Sequence, residues 1–216
     1  MKRSLLLFFI VALFVSFASS FAYAGTALQL AKQKEKVVRK IISVKTEKGT
    51  PAHTAKEDKL RVEINQLFDF KELTRRALAR HWEGESEADL KEFTDTLQAL
   101  IEKNYLLKAA GKADYQVKWF PQVKDADHVV VRHKLKSGTH VTKIMYKMMQ
   151  KEGRWVVFDM VIDDVSLLEN YKAQFNRIIN KKGFAKLLEK MKKKLKKKGE
   201  GQKKDLDKDE QQAASK

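Results

Sequence analysis

Residues 154–175 read RWVVFDMVIDDVSLLENYKAQF, and the change of period inside this stretch decides the fold. Val156, Phe158, Met160 and Ile162 alternate with Trp155, Val157, Asp159, Val161 and Asp163, the period of two of a β-strand, and the first set forms one wholly apolar face. At Ser166 the period lengthens. Ser166-Leu167-Leu168-Glu169 is a capping box, after which Leu167, Leu168, Tyr171, Phe175, Ile178 and Ile179 recur at helical spacing. A strand therefore turns directly into an amphipathic helix. Face and stripe are stable together only around a shared interior, which makes this stretch the expected centre of the fold.

Working upstream, Tyr115, Val117 and Trp119 alternate, as do Val129, Val131, His133 and Leu135, and then Ile144, Tyr146 and Met148. Ser137-Gly138 and Glu152-Gly153 are hairpin signals between these runs. The reading is four antiparallel strands in meander order. The N-terminal half is helical. Leu30, Val37, Val38, Ile41 and Ile42 share a face, and Gly49 and Pro51 break the pattern before a short helix bearing Leu60, Ile64, Leu67 and Phe68. Asp69 is placed to cap a third helix, and Ser86 to cap a long one striped with Leu90, Phe93, Leu97, Ile101 and Tyr105 and stopped at Gly111. Downstream, Phe184, Leu187, Leu188, Met191 and Leu195 mark a last helix, which either packs on the body or lies in a membrane interface. The fold class is α+β, with N-terminal helices on a curved four-stranded antiparallel sheet and helices again at the C-terminus.

The ends carry different information. Lys2 and Arg3, an apolar run from Leu5 to Val15 and Ala22-Tyr23-Ala24 form a signal peptide cleaved after Ala24, so residues 1–24 stand outside the fold and the protein is expected to be exported. One domain then covers 25–198, and 199–216 is a disordered charged tail. Of the net charge of +17, about half comes from Lys181 onward, where 14 lysines face six acidic residues. In an exported chain this favours anionic lipid headgroups over nucleic acid as counterpart. No cysteine is present, so neither a disulfide framework nor lipid attachment through cysteine is available.

Chemistry that would mark an enzyme is sparse. There is no Gly-rich phosphate loop, and His53, His81, His128, His133 and His140 lack metal-ligand spacing. Asp159, an acid within an apolar strand, leaves two readings open: a structural role, pairing with a cation or capping backbone donors, or the general base of a cone-fold isomerase or hydratase on a small apolar substrate. Arg75, Arg76 and Arg80 are read as a solvated face, with phosphate contact by Arg80 as the alternative.

Two groups of residues resemble the MlaC family, the periplasmic phospholipid-binding components of Mla, or toluene-tolerance, ABC transport systems. One runs through Trp155, Val157, Phe158, Asp159, Ile162, Asp163, Val165 and Ser166 to Asn170, Tyr171, Lys172, Gln174 and Phe175. The other is Phe68-Asp69-Phe70 with Leu78-Ala79-Arg80-His81-Trp82, followed by Tyr105-Leu106. Asp164 and Ala79 stand where the family usually has Gly, Lys172 where Arg is common, and the lysine-rich end departs from the family pattern. The resemblance implies an apolar pocket holding the acyl chains of a phospholipid as cargo, with no other cofactor and no catalysis. It also implies transit between inner and outer membranes, transient contact with a membrane surface, and partnership with an inner-membrane ABC transporter complex and an outer-membrane lipoprotein complex. On this reading the pocket is lined by Phe70, Leu78, Trp82, Phe93, Leu97, Ile101, Tyr105, Val131, Ile144, Tyr146, Phe158, Met160, Ile162, Leu168, Tyr171 and Phe175. On periodicity alone, the same side chains could instead close on one another as a core.

Overall fold

The structure is a computed structural model that describes residues 25–103 and 114–196. Helix α1 (Ala27–Ser43) opens on a reciprocal cap: Gln29 N–H donates to Thr26 Oγ1, and Gln29 Oε1 accepts from Thr26 N–H. Helix α2 (Pro51–Leu67) begins at Pro51, behind a Thr50 cap. Pro51 thus starts a full helix rather than interrupting the chain before a short one, because a first-turn residue has no intrahelical use for the missing N–H. Helix α3 (Phe70–Leu78) is capped by Asp69, whose carboxylate accepts from Glu72 N–H, and runs through a single 3-10 turn at Ala79–His81. Ser86 caps α4 (Glu87–Ile101). Tyr105 and Gly111 lie outside the described residues, as do 1–24 and the charged tail.

Among the described residues the sheet holds six strands: β1 (Gln116–Trp119), β2 (Val123–Asp125), β3 (His128–Ser137), β4 (His140–Lys151), β5 (Arg154–Ile162) and β6 (Val165–Ser166). Its order is β1-β3-β4-β5-β6, all antiparallel, with β2 also on β3. The four strands of the sequence reading keep their order. The additions, β2 and β6, are three and two residues long, too short to show a period. Each tight turn has its left-handed residues: Gly138 at the β3–β4 hairpin, Glu152 and Gly153 at the next, and Asp163 and Asp164 between β5 and β6. Asp164, at φ 69°, occupies a position glycine would suit and holds it with a short polar side chain.

One expectation about β5 fails. Tyr146 pairs with Met160 and Lys147 with Asp159, but Met148 pairs with Val157, so Phe158 is the extra residue of a β-bulge. The bulge shifts the alternation by one. Val157, rather than Val156 or Phe158, therefore shares the face of Met160 and Ile162. Phe158 instead packs under the Arg76 guanidinium, 4.1 Å from its ring, and against the His128 ring at 5.5 Å.

Helix α5 (Leu167–Lys182) follows β6, and α6 (Phe184–Lys196) follows Gly183. Together with α3 and α4 they form a helical layer against β5. Phe93 on α4 is its hub, with its ring 5.1 Å from both Phe175 on α5 and Phe184 on α6. The last helix thus packs on the body, burying Phe184, Leu187, Leu188 and Met191, rather than offering that stripe to a membrane. Helices α1 and α2 lie across the other part of the sheet, against β3 and β5 respectively.

Candidate functional site

Under α1 and α2 the apolar faces do not close. A cavity of about 300 Å³ remains between Ala31, Val38 and Ile42 of α1, Leu60, Ile64 and Leu67 of α2, and the sheet face made by Leu135, Ile144, Tyr146, Met160 and Ile162. Register explains the wall: His133 faces Ile144, Leu135 faces Thr142, and Tyr146 faces Met160, so these side chains share one side of the pleat. Exposure rises along it from Val131 and Met148, both fully buried, through half-buried Leu135 and Ser137 to exposed His140. The cavity therefore opens toward the β3–β4 hairpin.

Its polar groups come from α1, α2 and the sheet. Lys34 Nζ donates to Glu63 Oε2 at 2.6 Å and to Gln66 Oε1 at 2.7 Å, tying α1 to α2. Glu35 accepts from Arg39, whose guanidinium lies 4.0 Å over the Tyr115 ring. Burial, with the Glu35 carboxylate nearby, pushes the Tyr115 hydroxyl up to about 12 and raises Tyr146 as well. Both phenols stay protonated at neutral pH. His133 is buried between Trp119 and Tyr146, and its Nδ1 has no hydrogen-bond partner among the described residues. Burial pushes its pKa down to about 4. A buried polar atom left unpaired costs about 1–3 kcal/mol.

Of the residues expected to line a pocket, Ile144, Tyr146, Met160 and Ile162 are brought together here. Val131 is on the same sheet face, buried beside them. The others lie elsewhere. Phe93, Leu97, Ile101, Leu78 and Phe175 belong to the helical interior, and Tyr171 packs on Phe175 at 5.4 Å. Phe70 stacks on Phe68 without reaching the cavity, Phe158 is turned away by the bulge, and Trp82 and Leu168 edge a surface cleft beside Arg75 and Lys172. Missing from the expected set are the walls from α1 and α2. Their stripes at Val38 and Ile42 and at Leu60, Ile64 and Leu67 were visible as periodicity, but nothing local distinguishes a stripe facing space from one facing side chains.

Asp159 answers its own question. It is wholly buried on the face opposite the cavity; its oxygens accept from Ser166 Oγ at 2.8 Å and Leu168 N–H at 3.0 Å, and Lys147 Nζ lies 3.0 Å away. It joins β5 to the start of α5, the structural role of the two open readings, and faces away from the cavity, where the acids are Glu35 and Glu63. Arg80 donates to Asn176 and Asn180 on α5, and Arg76 is sandwiched between Glu72 and the Phe158 ring rather than simply solvated. Among the described residues no cluster of His, Asp or Glu could hold a metal, and no helix is long and apolar enough to cross a membrane.

The opposite sheet face is basic. Lys118, Lys134 and Lys143 lie in register on three adjacent strands, a juxtaposition of like charge that disfavours pairing. Asp164 offsets Lys143 at 3.0 Å, and Lys118 and Lys134 each sit 5.7 Å from the Phe120 ring.

A comparison with curated protein sequences finds no match. Among solved structures the chain resembles a phospholipid-binding protein from Ralstonia solanacearum determined in complex with a phospholipid: TM-score 0.68, 24% identity, covering 80% of this chain and 100% of that one. The family model for MlaC protein matches residues 32–193, a span that begins in α1, takes in every cavity-lining residue except Ala31 and ends in α6. With a match that runs through most of the 216 residues, the chain belongs to the MlaC family.

Proposed function

We propose that this protein is a phospholipid carrier, exported to the periplasm by residues 1–24, which moves glycerophospholipid between the inner and outer membranes as part of an ABC-type lipid transport system. The observation that carries the reading is the unfilled apolar space beneath α1 and α2, open at one end and edged by charge. Carriage through water needs such a space. Two 16-carbon chains expose on the order of 30 methylene groups, worth about 0.8 kcal/mol each, or roughly 24 kcal/mol in all. Because bilayer and cavity are both apolar, transfer between them can be close to neutral, so direction comes from partners: an inner-membrane ABC transporter complex and an outer-membrane lipoprotein complex. Membership of the family supports both partners. The lysines of the outer sheet face support brief contact with an anionic membrane surface.

The test is organic extraction of protein purified without detergent, followed by lipid mass spectrometry. Phospholipid at near-stoichiometric amount is expected, and Ala31→Trp, which drives an indole into the cavity from α1, should remove most of it. Repeated extraction of nothing, before and after incubation with phospholipid vesicles, would overturn the reading. In the same vesicle assay, changing Lys118, Lys134 and Lys143 together to Gln should weaken transfer from anionic membranes and spare transfer from zwitterionic ones. Equal loss on both would remove the membrane-contact part.

A further inference from the structure

His133 sits in the middle of β3, opposite Ile144, with its ring centroid 4.4 Å from that of Trp119 and 5.3 Å from that of Tyr146. It is 3% exposed, it lines the cavity, and its Nδ1 has no partner among the described residues. With aromatic rings on two sides, a phenylalanine would suit the slot at least as well. A nitrogen kept unsatisfied there is useful if a polar atom arrives with the ligand.

The position along the cavity says which atom. On this wall Val131 and Met148 are fully buried on one side of His133, while Leu135 and Ser137 lead out on the other to exposed His140. Glu35 and Tyr115 also line the cavity, Tyr115 on the mouth side of His133, next to the Gln116–Lys136 pair. This is where an apolar interior meets a polar rim. The other cationic donors near it are engaged, Lys34 with Glu63 and Arg39 with Glu35, and Glu35 itself can only accept. A diacyl lipid that enters tails first brings its ester carbonyls to that boundary.

We propose that His133 is the seat for an ester carbonyl oxygen of the bound acyl lipid, its imidazole N–H donating and the carbonyl accepting. The inference rests on the reading of the cavity as a phospholipid site and adds to it the group that sets how deep the lipid sits. Burial, which holds the ring neutral, leaves it one N–H to give and one nitrogen to accept.

The experiment separates the two claims. The full chain is incubated with vesicles holding equal amounts of a diacyl phosphatidylglycerol and its dialkyl ether analogue of the same chain length, re-isolated, and its bound lipid measured by mass spectrometry. The ester form should be enriched about threefold to tenfold, the range of one hydrogen bond. In the lipid that His133→Phe takes up, the enrichment should be gone, and His133→Gln, which keeps a donor, should retain part of it. Equal uptake of both lipids by the unaltered protein would overturn the assignment of His133 while leaving the carrier reading intact, whatever the fate of the variants. Persistent ester enrichment in His133→Phe would also overturn it. No uptake of either lipid would sink both.

Discussion

The helical layer and the space beneath α1 and α2 are walled by the same kinds of side chain, yet only the first is filled. In the helical layer large residues meet large ones: Phe93 is wholly buried between Phe175 and Phe184, and Leu73 on α3 and Leu97 and Ile101 on α4 are fully buried as well. Beneath α1 and α2, the buried α1 positions nearest the start are Ala27 and Ala31, which offer one methyl group each, and the Lys34–Glu63 pair ties α1 to its neighbour. Ile144, Tyr146 and Ile162 accordingly remain only partly buried. Apolar character alone therefore does not decide whether an interior closes. The sizes of the side chains facing one another, and what the covering helices are tied to, decide it.

This contrast predicts unequal costs for similar truncations. Phe93→Ala removes a ring with neighbours on both sides and should cost about 3–5 kcal/mol. Ile144→Ala removes atoms that already border open space and should cost only about 1 kcal/mol. Urea denaturation of lipid-stripped protein measures both, and equal losses would mean that the space beneath α1 and α2 is packed in solution. Lipid content should respond in the opposite order, falling with the wall residue and holding with any Phe93 variant that stays folded.

His133 offers a second way to break the comparison, since it places a titratable group in the unfilled region. Its folded pKa is depressed from 6.5 to about 4 by burial, so the unfolded chain takes up the proton first as pH falls. The stability it contributes is therefore present above about pH 6.5 and is lost as pH drops toward 4, by up to roughly 3 kcal/mol. Subtracting the pH profile of His133→Phe should isolate that loss from the carboxylates, which titrate in much the same range. An unchanged difference between the two proteins from pH 7 to pH 4 would show that the imidazole reaches water and that the cavity floods.

How much of this was legible in the chain follows from the range of each cause. The strand-to-helix switch at Ser166, the caps at Asp69 and Ser86 and the order of the four longer strands are local, and residues within a few positions of one another specify them. Asp159 was legible as a question, and its answer needed Lys147 on the neighbouring strand. The bulge at Phe158 was not legible, because a strict alternation conceals which residue will be skipped until the partner strand is known. That one-residue shift moved Phe158 away from the site and Val157 toward its face. The walls from α1 and α2 were likewise seen as stripes without a destination, since emptiness is a property of two surfaces and neither stripe carries it.

The smallest effect sharpens the comparison by separating backbone strain from packing. Ala79 closes α3 with φ 48° and ψ −122°, a region that penalises a Cβ, and it stands where the family pattern has glycine. Its side chain is exposed, so no packing is lost on removing it. Ala79→Gly relieves the left-handed strain but loosens the unfolded chain, two effects of opposite sign, and because the first costs about 1–2 kcal/mol and the second about 0.4–1, the variant should be more stable by up to about 1.6 kcal/mol. The gain falls in the helical layer, at a joint whose 3-10 turn leads toward Trp82 and away from the cavity walls. Thermal denaturation should therefore shift upward while bound phospholipid per protein stays the same. A rise in melting temperature accompanied by altered lipid content would show instead that α3 is mechanically coupled to the open region, and that the filled and unfilled parts act as one unit.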